Sequence, residues 1–152
     1  MEGKYTKAGT IIGLVSLLIT IIITIISFTT KLSHNLAGEW LMTSRVEKAG
    51  LKAYLGSEIQ WKMFIDENQN IVKGTAEKIK VNGQELDYNQ RTSLEFEGFI
   101  DGKTLVINYV EDGKIRKTSG IIKVRFNEKR FSGEFSQTAP SAEGSIIGIK
   151  IK

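Results

Sequence analysis

Cysteine is missing from all 152 residues and histidine occurs once. Without cysteine there is no disulfide framework, no thiolate nucleophile and no thiolate metal site. The single histidine, His34, stands in a short linker and excludes the common His-rich zinc sites. No GxGxxG, phosphate-binding loop or nucleophile elbow is present. Glu95 and Glu97 share one strand face, but they alternate with Leu94 and Phe96 and so belong to the solvated side. Catalysis needs a nucleophile with its base, an acid pair or a metal cluster. These absences point to a protein that is not an enzyme and uses no cofactor or metal.

Charge is the next absence. None occurs from Ala8 to Thr30, and a helix needs about 20 predominantly apolar residues to cross ~30 Å of hydrocarbon. A secretory signal has a shorter apolar core, about 7 to 15 residues, followed by a small-residue cleavage site. The run is therefore predicted to be an uncleaved transmembrane helix over 8–30, between a tail at 1–7 and a linker at 31–37. Lys4 and Lys7 precede it, and Lys31, Arg45 and Lys48 follow within reach of the positive-inside rule. That slight excess places the C-terminal part in the cytoplasm. With Lys4, Lys7, Lys31 and Glu2 set aside, the rest carries 18 basic against 16 acidic residues, too even for a nucleic-acid footprint.

From Leu36 onward apolar residues alternate with polar ones, the pattern of half-buried strands. Candidate strands run over 39–47, 58–66, 71–80, 92–99, 104–110, 117–126, 130–136 and 145–151. Ile59, Trp61, Met63 and Ile65 share one face of the second, and Ile122, Val124 and Phe126 one face of the sixth. Turn signals such as Asn82-Gly83, Asp101-Gly102 and Glu111-Asp112-Gly113 separate them. Strands joined by short turns make an antiparallel meander, and closing it removes exposed edges. The fold expected over 38–152 is an all-β, eight-stranded, up-and-down barrel, lipocalin-like in order. Its inward set (Trp40, Met42, Trp61, Met63, Phe96, Ile107, Tyr109, Phe126, Phe131, Phe135, Ile147, Ile149) is bulky, which predicts a largely packed interior with any ligand at a mouth.

The first strand starts beside the apolar run, so the turns near Asn68, Gly102 and Glu128 lie at that end. The longer connections, over 48–57, 81–91, 111–116 and 137–143, lie at the other. Long loops on a rigid scaffold carry binding groups. Tyr54, Tyr88, Arg91, Tyr109, Lys114 and Arg116 gather at this distal mouth, and rings beside cations suit an anionic ligand with flat bases.

Along the apolar run, Gly9, Gly13, Ser16, Thr20, Thr24 and Ser27 recur at helical spacing and form one stripe. Small and hydroxylated residues are what brings helices together in lipid. A homo-oligomer built through this face is expected.

A hydrophobic membrane segment followed by a minimal barrel, with Gly38-Glu39-Trp40, Ile59-Gln60-Trp61, SGIIKVRF, FSGEF and GSIIGIKI as markers, resembles the CBASS transmembrane β-barrel effectors, also called CD-NTase-associated or SMODS-associated effectors. The resemblance implies an antiphage protein of the bacterial inner membrane. Its cytoplasmic barrel would bind a cyclic di- or trinucleotide, and its membrane segments would oligomerise and breach the bilayer. The family commonly has two such helices; this chain has one. The Gly-x-Trp start is also similar to a lipocalin, which implies a membrane-tethered carrier of a small apolar molecule. A non-catalytic membrane scaffold is the third class.

Overall fold

The computed structural model describes residues 34–152. The transmembrane helix expected over 8–30 and its stripe lie outside the described residues. Among those described, no helix is long and apolar enough to cross a membrane.

The strands are β1 (Gly38–Ala49), β2 (Glu58–Asn68), β3 (Ile71–Val81), β4 (Gln84–Glu85), β5 (Ser93–Asp101), β6 (Thr104–Asp112), β7 (Lys117–Phe126), β8 (Arg130–Thr138) and β9 (Ser141–Lys150). Spatial order follows chain order around the ring β1-β2-β3-β5-β6-β7-β8-β9, and β9 returns to pair with β1. Every neighbour is antiparallel, so the eight long strands make the closed up-and-down barrel expected from alternation. The two-residue β4 is an appendage of β3. It forms because Asn82 and Gly83 both take positive φ, 51° and 78°, the geometry of a tight hairpin turn.

Alternation locates the core. Trp40, Met63, Val72, Leu105, Val124 and Phe131 are buried and fill the end of the barrel at which the chain enters. Leu36 closes that end. The Trp40 Nε1–H donates to its carbonyl oxygen at 2.7 Å, and the carboxylate of Glu67 accepts the backbone N–H groups of His34 and, at 2.7 Å, Leu36. The Trp40 and Phe131 rings pack with centroids 5.2 Å apart. This plug converts one open end of a barrel into dry core, where ring burial contributes most per residue.

β9 departs from the expectation twice. It begins at Ser141, four residues before the position read from alternation, because Thr138 and Ser141 already pair across a tight hairpin containing the cis Ala139–Pro140 bond. Its parity is also opposite: Ala142, Gly144, Ile146 and Gly148 face inward, and Ile147 and Ile149 face out, about half exposed. The reason is Gly148. A Cβ there would stand 2.1 Å from the Phe131 ring, so the ring that stacks on Trp40 occupies the space a side chain would need.

Candidate ligand cavity

Beyond the plug the interior is hollow. A cavity of about 550 Å³ occupies the distal half of the barrel, which corrects the expectation of a largely packed interior. The bulky inward residues are unevenly spread along the axis. Toward the mouth the inward positions carry Ser44, Thr118 and Ala142, whose small side chains leave the centre empty. Met42, Trp61, Leu94, Ile122, Phe135 and Ile146 form the apolar wall.

A polar group is set into this wall. Lys78 continues the inward series of Val72, Gly74 and Ala76 on β3, and Glu111 continues Leu105, Ile107 and Tyr109 on β6. Their side chains meet at 2.5 Å and are only 18% and 12% exposed. Thr92 donates its hydroxyl to the same Glu111 oxygen at 2.7 Å. The Lys78 ammonium also lies 4.9 Å from the centre of the Trp61 ring, a cation–π arrangement. Both charges are thus matched internally, and the pair leaves no net charge in the cavity.

A second chain of bonds ties the mouth together. The Tyr109 hydroxyl donates to Gln137 Oε1 at 3.3 Å, and Gln137 Nε2 donates to the Pro140 carbonyl at 3.1 Å. Thr118 donates to the Ala139 carbonyl. Burial, and secondarily the charge of Glu111, push the Tyr109 phenol well above its ordinary 10.0. In the unfolded chain that phenol ionises near its ordinary value, whereas the folded state keeps it neutral. Its contribution to stability is therefore fully present below pH ~10 and declines as the pH rises above it, by about 1.4 kcal/mol per unit. Denaturation midpoints measured between pH ~9 and ~11 should fall more steeply for the wild type than for Tyr109→Phe.

The structure brings four of the six expected mouth residues together. Tyr54, Tyr109, Lys114 and Arg116 line the cavity. The other two stand outside it: Tyr88 is 85% exposed, and Arg91 is drawn onto β3, its guanidinium 3.2 Å from Glu77 and bonded to the Leu86 carbonyl. Lys78, Glu111, Thr92 and Gln137 were not among the expected site residues. The available signal was parity, since each continues an inward series at the distal end of its strand. Among the described residues, no buried side-chain nitrogen or oxygen lacks a hydrogen-bond partner. The walls accordingly offer shape and apolar surface, while Lys114 and Arg116 supply the cations at the rim.

No protein-family model matches the sequence, and no curated protein matches it either. Among solved structures, the barrel is similar to a redesigned beta barrel, mFAP1, solved bound to DFHBI. The TM-score is 0.58 and the identity 10%, over 78% of this chain and 98% of that one. At that identity the likeness is one of fold.

Proposed function

We propose that the barrel is the sensing half of a membrane-anchored effector and encloses one small ligand, its flat or apolar body in the distal cavity and an anionic group at the rim. The observation that carries this reading is the separation of the two features: a cavity of about 550 Å³ with an internally neutralised wall, and basic side chains only where it opens. Cavities of ~300–1,000 Å³ take one drug-sized molecule. Of the ligands implied by the resemblance to CBASS effectors, a cyclic dinucleotide therefore suits the space better than a trinucleotide. Its bases would lie against Trp61 and Tyr109, its phosphates against Lys114 and Arg116. Self-association of the 8–30 segment and disruption of the inner membrane complete the proposal, resting on the small-residue stripe and on that resemblance.

The aliphatic part of the wall, with Leu94, Ile122 and Ile146, favours a second reading, a tethered carrier of a small apolar molecule. Both are tested by the melting temperature of the full chain in lipid nanodiscs with cyclic dinucleotides, cyclic trinucleotides and fatty acids. A ligand at a hundredfold excess over its Kd stabilises by about 2.7 kcal/mol. A rise with cyclic dinucleotides that is lost in Lys114→Glu/Arg116→Glu supports the sensor. A rise with fatty acids alone assigns the carrier, and no rise with any of them overturns the cavity as a ligand site.

A further inference from the structure

The outward row of β9 carries a surface that ligand binding in the cavity does not use. A barrel strand with one face in water normally alternates apolar and polar residues, yet Ile147, Ile149 and Ile151 occupy successive outward positions and are about half exposed. The neighbouring strands set cations around them. Arg130 pairs with Ile149, and Arg125 lies across Ser132 from Ile147. Lys123 and Lys129 extend the same flank. None of these four cations is in an ion pair among the described residues. The carboxylates on this flank are Glu128, Glu134 and Glu143, of which Glu143 is already paired with Lys48 on β1.

We infer that the β7–β9 flank lies on an anionic lipid surface, with the isoleucines at the acyl boundary and the arginines and lysines among the headgroups. Apolar side chains beside a basic set are the composition of an interfacial surface. Charge decides among other occupants. A second copy docked on this flank by a two-fold axis would set the same cations against each other. A nucleic-acid strand would match the cations but find no aromatic side chain facing out from these strands for its bases. The sequence also ends its uncharged apolar stretch at Thr30, four residues before His34, and extended chain covers at most about 3.6 Å per residue. Lipid is thus the surface this part of the chain is expected to meet. The inference rests on the membrane-anchored reading of the 8–30 segment and does not depend on what fills the cavity.

The lack of cysteine gives a clean experiment. Full-length protein carrying Ser132→Cys, at the centre of the flank, is labelled with an environment-sensitive fluorophore and reconstituted into vesicles of phosphatidylcholine and phosphatidylglycerol with brominated acyl chains. Glu97→Cys, on β5 across the barrel, is the reference; both positions are exposed. The expected result is several-fold stronger quenching at position 132 than at 97, lost in Arg125→Glu/Arg130→Glu and reduced without phosphatidylglycerol. Equal quenching at the two positions overturns the inference, as does quenching at 132 that ignores the anionic lipid. Shielding of the 132 label in detergent without lipid also overturns it and assigns the flank to a second copy or another protein.

Discussion

Trp40→Ala lowers the melting temperature of the barrel by at least about 12 °C, on three separable losses. The indole is fully buried, and truncating a buried Trp to Ala costs about 3–5 kcal/mol in transfer and cavity terms. Its ring supports Phe131 at 5.2 Å, so the void spreads to a second aromatic. Its N–H is the partner of the Leu36 carbonyl, and a buried acceptor left unpaired costs roughly 1–3 kcal/mol more. A small domain has only about 5–15 kcal/mol in all, and 1 kcal/mol moves the midpoint by about 3–6 °C at this size. Trp40→Phe keeps an aromatic ring against Phe131 but loses the N–H and part of the indole's volume, and should cost about half as much. Thermal unfolding followed by near-UV circular dichroism measures both. A Trp40→Ala midpoint within about 3 °C of wild type would show that Leu36 and the chain entry do not depend on the indole.

The same plug explains what alternation could and could not reveal. Strand existence, order and closure were legible because period two is a local signal, and several turns carry residues such as Asn82-Gly83 and Gly102 that take positive φ. Parity failed at β9, where Ile146-Ile147 offers an apolar residue to each face. The choice is made by a non-local fit: the Phe131 ring needs the empty side of Gly148. The hollow interior was missed for a related reason. Bulk summed over the inward set says nothing about its distribution along the axis, and here Trp40, Met63 and Phe131 crowd one end while Ser44, Thr118 and Ala142 line the other.

The candidate site was legible at its rim more than in its wall. Lys114 and Arg116 sit on the connection between β6 and β7, whose place at the distal end follows from strand order. Arg91 had the right composition and a longer connection, but Glu77 on β3 lies within reach and takes its charge. In the wall, Lys78 and Glu111 are charged residues at inward positions, where a charge is not tolerated without a partner. The partner is 33 residues away in sequence, so only the register of the closed sheet identifies it. A bulge between the Gln60 and Trp61 registers accompanies the approach of Lys78 to the Trp61 ring.

That pair yields the sharper test of how charge is divided between wall and rim. Lys78→Met leaves the Glu111 carboxylate largely buried with only the Thr92 hydroxyl, and removing one partner of a buried pair costs about 3–5 kcal/mol. Both groups retain some exposure, 18% and 12%, so screening brings the expected loss to roughly 2–3 kcal/mol. Lys78→Met/Glu111→Leu removes both charges and replaces them by apolar side chains of similar volume, which is often near neutral. The double variant should therefore be more stable than Lys78→Met, with a coupling energy of about 2 kcal/mol in urea denaturation. Additive losses would mean that the two groups do not compensate each other. Ligand binding separates structure from recognition in the same variants. If the pair serves to neutralise the wall, the double variant binds as the wild type does, whereas Lys114→Glu/Arg116→Glu does not. If the double variant loses binding while remaining folded, Lys78 is the ligand's own contact, and the anionic group lies inside the barrel beside Trp61.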